Sequence, residues 1–244
     1  MDDYKRLWLW MIIPMVVMQV GIFMDYWGDF TDNTWAVHVH YWNATAWYAF
    51  LISQPWLFAK GRIEQHRTWG MFGLLLAGAM VLLSVSQLFR DIVYANSVRD
   101  VPDQWGPFEP WFFFQVMMAE MVLISAYALA VAMAVVKRKS LDDHSWWMAS
   151  TAFILIMPAM GRGIQNAWII YHGFEAENRF VMTEPIWLTQ AIIIAMTLGF
   201  AWRFGKLRHP ATWVAVVANA AVLAVAPLAQ SPAVQDFWRG VIAH

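Results

Sequence analysis

The sequence has no cysteine and few charged residues. Without cysteine, the chain cannot form disulfides, hold iron–sulfur clusters or bind metals through thiolates. Charged residues make up 14% of the 244 residues and hydrophobic residues 60%, whereas a soluble domain carries about 25% charged residues. The basic residues are scattered in short loops, so the net charge of −1 gives no indication of nucleic-acid binding. An integral membrane protein is the class that fits these absences.

Several enzyme signatures are missing as well. The sequence shows no nucleotide-binding loop and no Ser–His–Asp arrangement, so soluble-enzyme chemistry is not indicated, and whether the chain is an enzyme stays open. The last apolar run, near residues 211–229, has no lysine for a retinal Schiff base, which disfavours a rhodopsin-like photoreceptor. Strand-like alternation is also absent, so helices are predicted throughout.

The sequence is rich in apolar runs of about 20 residues, the length at which a helix crosses about 30 Å of hydrocarbon. The first run, from Leu7 to Met24, lacks a small-residue cleavage site, and we interpret it as a span. We predict an all-α fold, a polytopic membrane helical bundle with about seven transmembrane helices, in which residues 1–244 form a single domain. The predicted spans are 7–24, 36–59, 67–89, 110–136, 145–172, 185–203 and 211–229.

Charge alternates in sign from loop to loop. Basic residues precede the first span and follow the second, fourth and sixth, and the intervening loops are acidic. The positive-inside rule therefore predicts a cytoplasmic N-terminus and an external C-terminus, in a multi-pass protein of the bacterial inner membrane. The basic set is Lys5, Arg6, Lys60, Arg62, Arg67, Lys137, Arg138, Lys139, Arg203, Lys206 and Arg208. The acidic set is Asp25, Asp29, Asp32, Asp91, Asp100, Asp103, Glu109, Glu175, Glu177 and Glu184. We expect the longest connection, 90–109, to form an outer cap.

Polar residues inside the predicted spans recur at helical spacing. They form one stripe on each of the second, third and fifth spans, and each stripe lies on a single helix face. The second span carries His40, Asn43, Trp47 and Gln54. The third carries His66, Gly70, Gly73, Ala77, Met80, Ser84 and Gln87. The fifth carries His144, Met148, Thr151, Leu155, Pro158, Arg162, Gln165, Ile169 and His172. We therefore expect residues 36–172 to form a functional four-helix core, with 7–24, 185–203 and 211–229 at its periphery.

Arg162 needs a counter-charge, because an arginine inside a membrane span is costly. Glu120 is the only acidic residue deep within a predicted span. It lies roughly 16 Å inward from Glu109, and Arg162 lies roughly 15 Å inward from His172, so their depths match. We predict either a structural ion pair between the two or a shared polar pocket for a quinone-like headgroup, an anion or a proton relay. The other predicted pocket residues are Asn43, Gln54, Gln87 and Gln165. Pro158 is expected to kink the fifth span, and Gly161 and Gly163 to ease a close contact there.

Histidines fall into two layers. The outer layer is His38, His40 and His172, and the inner layer is His66 and His144. Imidazole pairs at matched depth on different helices can ligate haem, which makes His40, His172, His66 and His144 the candidate haem b ligands. Alternatively, His38, His40 and His172 bind a metal ion with help from Asp25, Asp32 or Glu175. A third reading has no cofactor: the histidines hydrogen-bond loop carbonyls and headgroups, or handle protons.

Two motifs resemble an uncharacterised family of bacterial predicted membrane proteins. The first is His38-Val39-His40, then Gln54-Pro55, Gly61-Arg62 and a His-Arg-x-x-Gly helix start at His66-Arg67-Thr68-Trp69-Gly70. The second is a His-x-x-Trp-Met helix start at His144-Ser145-Trp146-Trp147-Met148, followed by Arg162; Ser145 stands where that family has arginine. The resemblance covers about residues 36–170. More distantly, the chain is similar to the cytochrome b561 and ferric-reductase type of bundle, which implies haem.

Two classes of function follow from these patterns. The first is membrane electron transfer, as a b-type haem-binding redox subunit. The second is a non-redox role, either binding or transport at an intramembrane Glu120–Arg162 site or structural support of a larger membrane complex. The expected partners are the lipid bilayer, a quinone and other subunits of a membrane complex, and nucleic acid is not among them.

Overall fold

A computed structural model describes residues 2–175, 177 and 182–242, and the regular structure in these ranges is helical. The α-helices are α1 (Asp2–Lys5), α2 (Leu7–Trp10), α3 (Ile12–Gly21), α4 (Trp35–Ala59), α5 (Ile63–Asp100), α6 (Pro110–Val136), α7 (Leu141–Leu155), α8 (Met157–His172), α9 (Glu184–Arg203), α10 (Pro210–Ala224), α11 (Ala226–Ala229) and α12 (Pro232–Ile242). A π-helical turn (Phe23–Trp27) and two 3₁₀ turns (Phe30–Asp32, Pro102–Gln104) connect them. The predicted all-α class is confirmed.

Within the described ranges, five helical stretches are long and apolar enough to cross a membrane, which indicates a multi-pass membrane protein. They are Ile63–Asp100, Pro110–Val136, Leu141–His172, Glu184–Arg203 and Pro210–Ala229. The first two predicted spans are also helical, but neither is both long and apolar enough to be counted with these five. α4 has 25 residues yet carries many polar and aromatic side chains, and the apolar helix Leu7–Gly21 is short.

The fifth predicted span is bent where proline was expected to bend it. α7 ends at Leu155 and α8 begins at Met157, with Pro158 in the first turn of the new helix. Pro158 has no N–H to donate to the carbonyl four residues earlier, so the helical ladder is interrupted there. The bend directs the polar face of α8 toward the α3 and α9 side of the bundle.

α5 is much longer than its predicted span of 67–89. It runs through Asp100, about 57 Å in all, so the first half of the predicted 90–109 loop is helix. The extension is stabilised by its own apolar face, since Ile92, Ala95 and Val98 are buried against aromatic residues of the following loop and α6. The predicted outer cap is thus built largely from helix.

α3 and α8 approach each other through glycine. A Cβ on Gly163 would lie 2.9 Å from the Cα of Gly21, and a Cβ on Gly21 would lie 2.3 Å from the carbonyl oxygen of Ala159. Only glycine permits this approach, as expected for Gly163. The contact fixes the outer end of α3, and with it Asp25, beside the polar face of α8.

The predicted peripheral helices also contribute to the core. α10 packs against α6 and α7, and its Asn219 donates to the carbonyl of Phe153 at 3.2 Å. α9 packs against α8 and α10. The polar face of α8 is therefore bordered by α3 and α9, and residues of α5 and α6 line a cavity with it.

Candidate functional site

Five charged side chains from four segments meet in the half of the bundle next to residues 90–109, the half predicted to be the outer one. They are Asp25 from the turn after α3, Arg90 and Asp91 from α5, Glu120 from α6 and Arg162 from α8. Membrane interiors contain few such groups, and those present mark ligand, ion or proton sites. Among the described residues, this cluster is therefore the strongest candidate for the functional site.

Two ion pairs organise the cluster. Arg90 donates from Nη2 to the Oδ1 of Asp91 at 2.9 Å, and Asp91 is almost fully buried. Arg162 approaches Asp25 with an Nη1–Oδ2 distance of 3.4 Å, and Asn166 donates to the Oδ1 of Asp25 at 2.5 Å. The carboxylate paired with Arg162 is thus Asp25, whereas the prediction was either an ion pair with Glu120 or a polar pocket that Glu120 and Arg162 share.

Glu120 lies close to Arg162 but forms no ion pair with it within 4 Å. It is 8% exposed, and its Oε2 has no hydrogen-bond partner in the described part of the chain. The Oδ2 of Asp91 is unpartnered in the same sense. A buried carboxyl in this position needs a proton, a water or a donor group from a ligand.

The charged cluster separates two cavities. The smaller has a volume of ≈70 Å³ and lies toward the centre of the bundle, and the larger has ≈300 Å³ and lies under the outer loop. Arg90, Glu120, Pro158 and Arg162 line both of them. Because Arg162 faces the two spaces, 33% of its side-chain surface stays accessible inside the protein.

The lining of the larger cavity contains two chemically different groups of residues. One group is polar and consists of the charged cluster with Gln165, Asn166 and Gln190. The other group is aromatic and aliphatic. It is formed by Tyr94, Trp105, Phe108, Phe112, Phe113, Val116, Met157 and Ile186. A volume of ≈300 Å³ with apolar lining and a few convergent polar groups is at the lower end of small-molecule sites.

Two of the four other predicted pocket residues line these cavities. Gln165 lines the larger cavity and Gln87 the smaller. Asn43 donates to the Leu76 carbonyl at 3.4 Å, so it joins α4 to α5. Gln54 is buried more than two helical turns further along α4 than Asn43. Neither of its amide atoms has a partner among the described residues. The four residues therefore lie at separate positions along the bundle and do not line one common pocket.

The outer histidines are not brought together. His40 lines the smaller cavity with Arg162, whereas His172 is ten residues, about 15 Å, further along α8. His172 bonds the Trp168 carbonyl through Nδ1 at 3.0 Å, and the Nδ1 of His38 bonds the Tyr26 hydroxyl at 3.0 Å. No group of three or more His, Asp or Glu that could hold a metal occurs in residues 2–175, 177 and 182–242.

The inner histidines do meet. The rings of His66 and His144 lie edge to face with centroids 6.3 Å apart. His144 donates from Nδ1 to the Ala134 carbonyl at 2.9 Å, and His66 lies within hydrogen-bonding reach of the Gln54 backbone. The Nδ1 of His66 has no partner in the described ranges. The structure thus places one of the two predicted histidine pairs at contact distance.

Sequence reasoning placed Asp25, Arg90 and Asp91 in loops; it missed Arg90 and Asp91 as site residues and considered Asp25 only as a possible metal ligand. The sequence does contain an indication that Arg90 and Asp91 are helical. The apolar residues Ile92, Ala95 and Val98 recur at helical spacing, and the helix does continue past residue 89. For Asp25 no local signal exists, because its partner lies 137 residues away.

Comparison with known proteins adds no relative. The chain matches no protein-family model, no curated protein and no solved structure. What the protein does must therefore be argued from the chemistry of its own residues.

Proposed function

We propose that this protein binds a lipid-soluble amphiphile with a quinone-type headgroup in its larger cavity. In this proposal it spans the bacterial inner membrane about seven times, with its N-terminus in the cytoplasm and its C-terminus outside. The charged cluster then lies in the outer part of the bilayer, since Glu120 is ten residues, about 15 Å, from the outer end of α6.

Two features support seven spans rather than five. α4 is about 37 Å long, enough to cross the hydrocarbon, and it packs against α5 and α7, which are part of spanning stretches. α2, α3 and the π-helical turn together cover residues 7–27, and α3 packs against α8 and α4. The alternating loop charges support the orientation.

The observation that carries the proposal is the mixed lining of the larger cavity, with charged and aromatic residues together. Guanidinium groups of Arg90 and Arg162 can donate to quinone carbonyl oxygens, and the carboxyl of Glu120 can accept from a quinol hydroxyl or, when it carries a proton, donate to a carbonyl. The aromatic residues can stack against a ring and cover the first part of an apolar tail. A headgroup that both accepts and donates matches this set better than a simple anion does, because two of the three carboxylates already neutralise the two arginines.

Binding can be tested with a benzoquinone that carries a ten-carbon alkyl tail. The detergent-purified protein is heated with and without this probe, and its unfolding temperature is followed by light scattering and tryptophan fluorescence. A stabilising ligand at about 100 times its dissociation constant contributes about 2.7 kcal/mol, so a clear rise in unfolding temperature is expected. Arg162→Gln and Glu120→Gln should each remove most of the rise.

Two controls isolate the headgroup. Arg99→Gln changes an exposed arginine on the outer end of the same α5 helix and should leave the rise intact. A ten-carbon alcohol offers the same tail without the ring and should stabilise far less. Equal stabilisation by the alcohol, or full stabilisation of Arg162→Gln by the quinone, would exclude recognition of the headgroup at this site.

A second candidate function rests on the inner histidine pair. His66 and His144 come from different helices, their rings are in contact, and the Ala134 carbonyl orients the His144 ring so that its Nε2 is free. Such a donor set fits axial ligation of a haem, which would supply one-electron chemistry. The two histidines would hold the group between α5 and α7.

The haem proposal is tested by the absorption spectrum of the purified protein, oxidised and then reduced with dithionite. A Soret band that shifts on reduction is expected, and it should be lost in both His66→Ala and His144→Ala. His172→Ala is the matched control, since His172 lies at the opposite end of the α7–α8 stretch, and it should keep the band. A protein without a Soret band, supplied with haem during expression, would rule out haem ligation.

A further inference from the structure

A column of buried polar groups runs inward from the charged cluster between α4 and α6. On α4 it contains His40, Trp47 and Gln54, and on α6 it contains Glu120 and Tyr127. Members on one helix are seven residues apart, which keeps them on one face at steps of about 10 Å. The rings of Trp47 and Tyr127 touch, with centroids 5.3 Å apart, so the two helix faces meet in the middle of the column.

Most members of the column have polar atoms without partners. The unpartnered atoms, counted among the described residues, are the Oε2 of Glu120, the Nδ1 of His40, the hydroxyl of Tyr127, both amide atoms of Gln54 and the Nδ1 of His66. Buried polar groups of native proteins are satisfied, if not by protein then by ordered water. A vertical series of such groups therefore indicates a hydrated line through the core.

Neighbouring polar groups with a structural role are satisfied by the protein. The hydroxyl of Tyr48 donates to the Ala152 carbonyl at 2.7 Å, and the indole N–H of Trp47 donates to the Thr151 hydroxyl at 3.3 Å. Tyr48 and Tyr127 are equally buried, yet Tyr127 alone of the two lacks a partner in the described chain. Packing by itself does not account for this difference.

Both ends of the column reach accessible space. At the outer end Glu120 belongs to both cavities, and the larger of them extends to Asp25, whose side chain is 28% exposed. At the inner end His66 and His144 are half-buried near the loops that carry basic residues. At the outer end, the smaller cavity of ≈70 Å³, which His40 and Glu120 line, has room for about two waters at ~30 Å³ each.

We propose that this column is a path for protons between the inner histidine pair and the outer charged cavity. A proton entering at His66 or His144 moves through water, which Gln54 holds by hydrogen bonds, to the Tyr127 hydroxyl, and then through further water to His40 or Glu120, which line the smaller cavity. In each step one O–H or N–H bond breaks as another forms, and no electrons move. The path goes beyond the proposed amphiphile binding, because proton movement along it requires no bound ligand.

Proton flux in liposomes tests the path. The full-length protein is reconstituted in vesicles loaded with potassium and a pH-sensitive dye, and valinomycin lets potassium leave so that the interior becomes negative. Protons then enter at a rate set by the protein. The expected rate exceeds that of empty vesicles, and Glu120→Gln and Tyr127→Phe should each lower it about tenfold or more. Tyr48→Phe, the matched buried tyrosine whose hydroxyl is already bonded to a carbonyl, should change it less than about twofold.

The remaining outcomes all contradict the path. A wild-type rate equal to that of empty vesicles excludes a conducting column. Equal rates in wild type, Tyr127→Phe and Glu120→Gln place the protons on another route. Equal loss in Tyr127→Phe and Tyr48→Phe points to general loosening of the core. The double variant His66→Gln with His144→Gln, at the half-buried inner end, provides an independent test if the core substitutions fail to fold, and an unchanged rate there would exclude the inner histidine pair as the entry. Quinone binding is measured separately by unfolding temperature, so either proposal can fail alone.

Discussion

The two ends of the bundle use charge in opposite ways. At the inner end, Asp142 accepts from the Tyr4 hydroxyl and from Lys206, and Asp143 pairs with His209 at 3.2 Å. These contacts join α1, α7 and the loop before α10, and each of the two carboxylates has a protein partner. At the outer end, the carboxylates of Glu120 and Asp91 retain unpartnered oxygens and line cavities. The first arrangement is one that stabilises helix packing, and the second is one that a ligand or proton can use.

The two ends differ in how deeply their charged groups are buried as well as in which charged groups they contain. The inner pairs are partly exposed, so water can solvate them and each contributes little. The outer cluster is built from four segments and is more enclosed, and an unsatisfied buried charge is expensive. Natural proteins keep such groups mainly where they serve a function. The following substitutions test the contrast, from the largest expected effect to the smallest.

Arg90→Leu should have the largest effect on stability. It leaves Asp91, which is 2% exposed, without its partner. Breaking a buried pair in this way lowers the free energy of unfolding by about 3–5 kcal/mol. Unfolding in mixed detergent, followed by far-UV circular dichroism, measures the loss. Arg99→Leu is the matched control, because Arg99 forms the same kind of pair with the next residue but at 52% exposure, and it should lose less than about 1 kcal/mol. Equal losses would contradict the contrast between enclosed and exposed charge.

Gly163→Ala should come next. The added methyl group would lie 2.9 Å from the backbone of Gly21 and push α3 away from α8. Overpacking of this kind costs about 1–3 kcal/mol, and quinone binding should weaken as Asp25 moves from Arg162. Gly199→Ala, in α9 with open space around the new methyl group, should be neutral or stabilising. If Gly163→Ala keeps both full stability and full binding, the glycine contact does not position the site.

Thr212→Val tests the inner end. The Thr212 hydroxyl accepts from the indole N–H of Trp146 at 2.8 Å and donates to the Lys206 carbonyl at 2.8 Å. Valine keeps the shape and leaves a buried N–H unpaired, which lowers the free energy of unfolding by about 1–2 kcal/mol. Chemical denaturation measures this loss, and quinone binding by the folded fraction should not change. Weakened binding would show that the inner contacts reach the outer site.

Asp142→Asn should have the smallest effect. The Asp142 side chain is 56% exposed, and asparagine can still accept from Tyr4. Surface ion pairs contribute about 0–1 kcal/mol, so the unfolding free energy should fall by that amount or less, with binding and proton flux unchanged. Reconstituted vesicles and thermal unfolding provide the two measurements. A large loss of quinone binding or of proton flux would contradict the distinction between a stabilising inner end and a functional outer end.

Local patterns predicted much of the fold. The helical class followed from apolar runs, and the bend at Pro158 from one missing N–H. Gly163 was correctly expected to permit a close contact. The outer part of α5 was missed because its charged residues resemble a loop, while the three buried apolar side chains that hold it in helix are sparse.

The site was predicted less completely. Arg162 and Glu120 were recognised because a charge inside an apolar run is conspicuous, and both line the cavities. Their direct pairing was expected from equal depth alone. Depth does not specify the rotation of each helix about its axis, and the glycine contact brings Asp25 nearer to Arg162 than Glu120 is.

The sequence alone determined that this chain is a helical membrane protein, where it bends and which residues form polar stripes, because hydropathy, helical period and proline geometry act over a few residues. Only the tertiary structure decided which stripes meet: Asp25 with Arg162, His66 with His144, and Trp47 with Tyr127. Those meetings depend on helix rotation, register and backbone approach across segments as many as 137 residues apart. No local pattern encodes such long-range geometry, so the cavities and the polar column become visible only in the folded bundle.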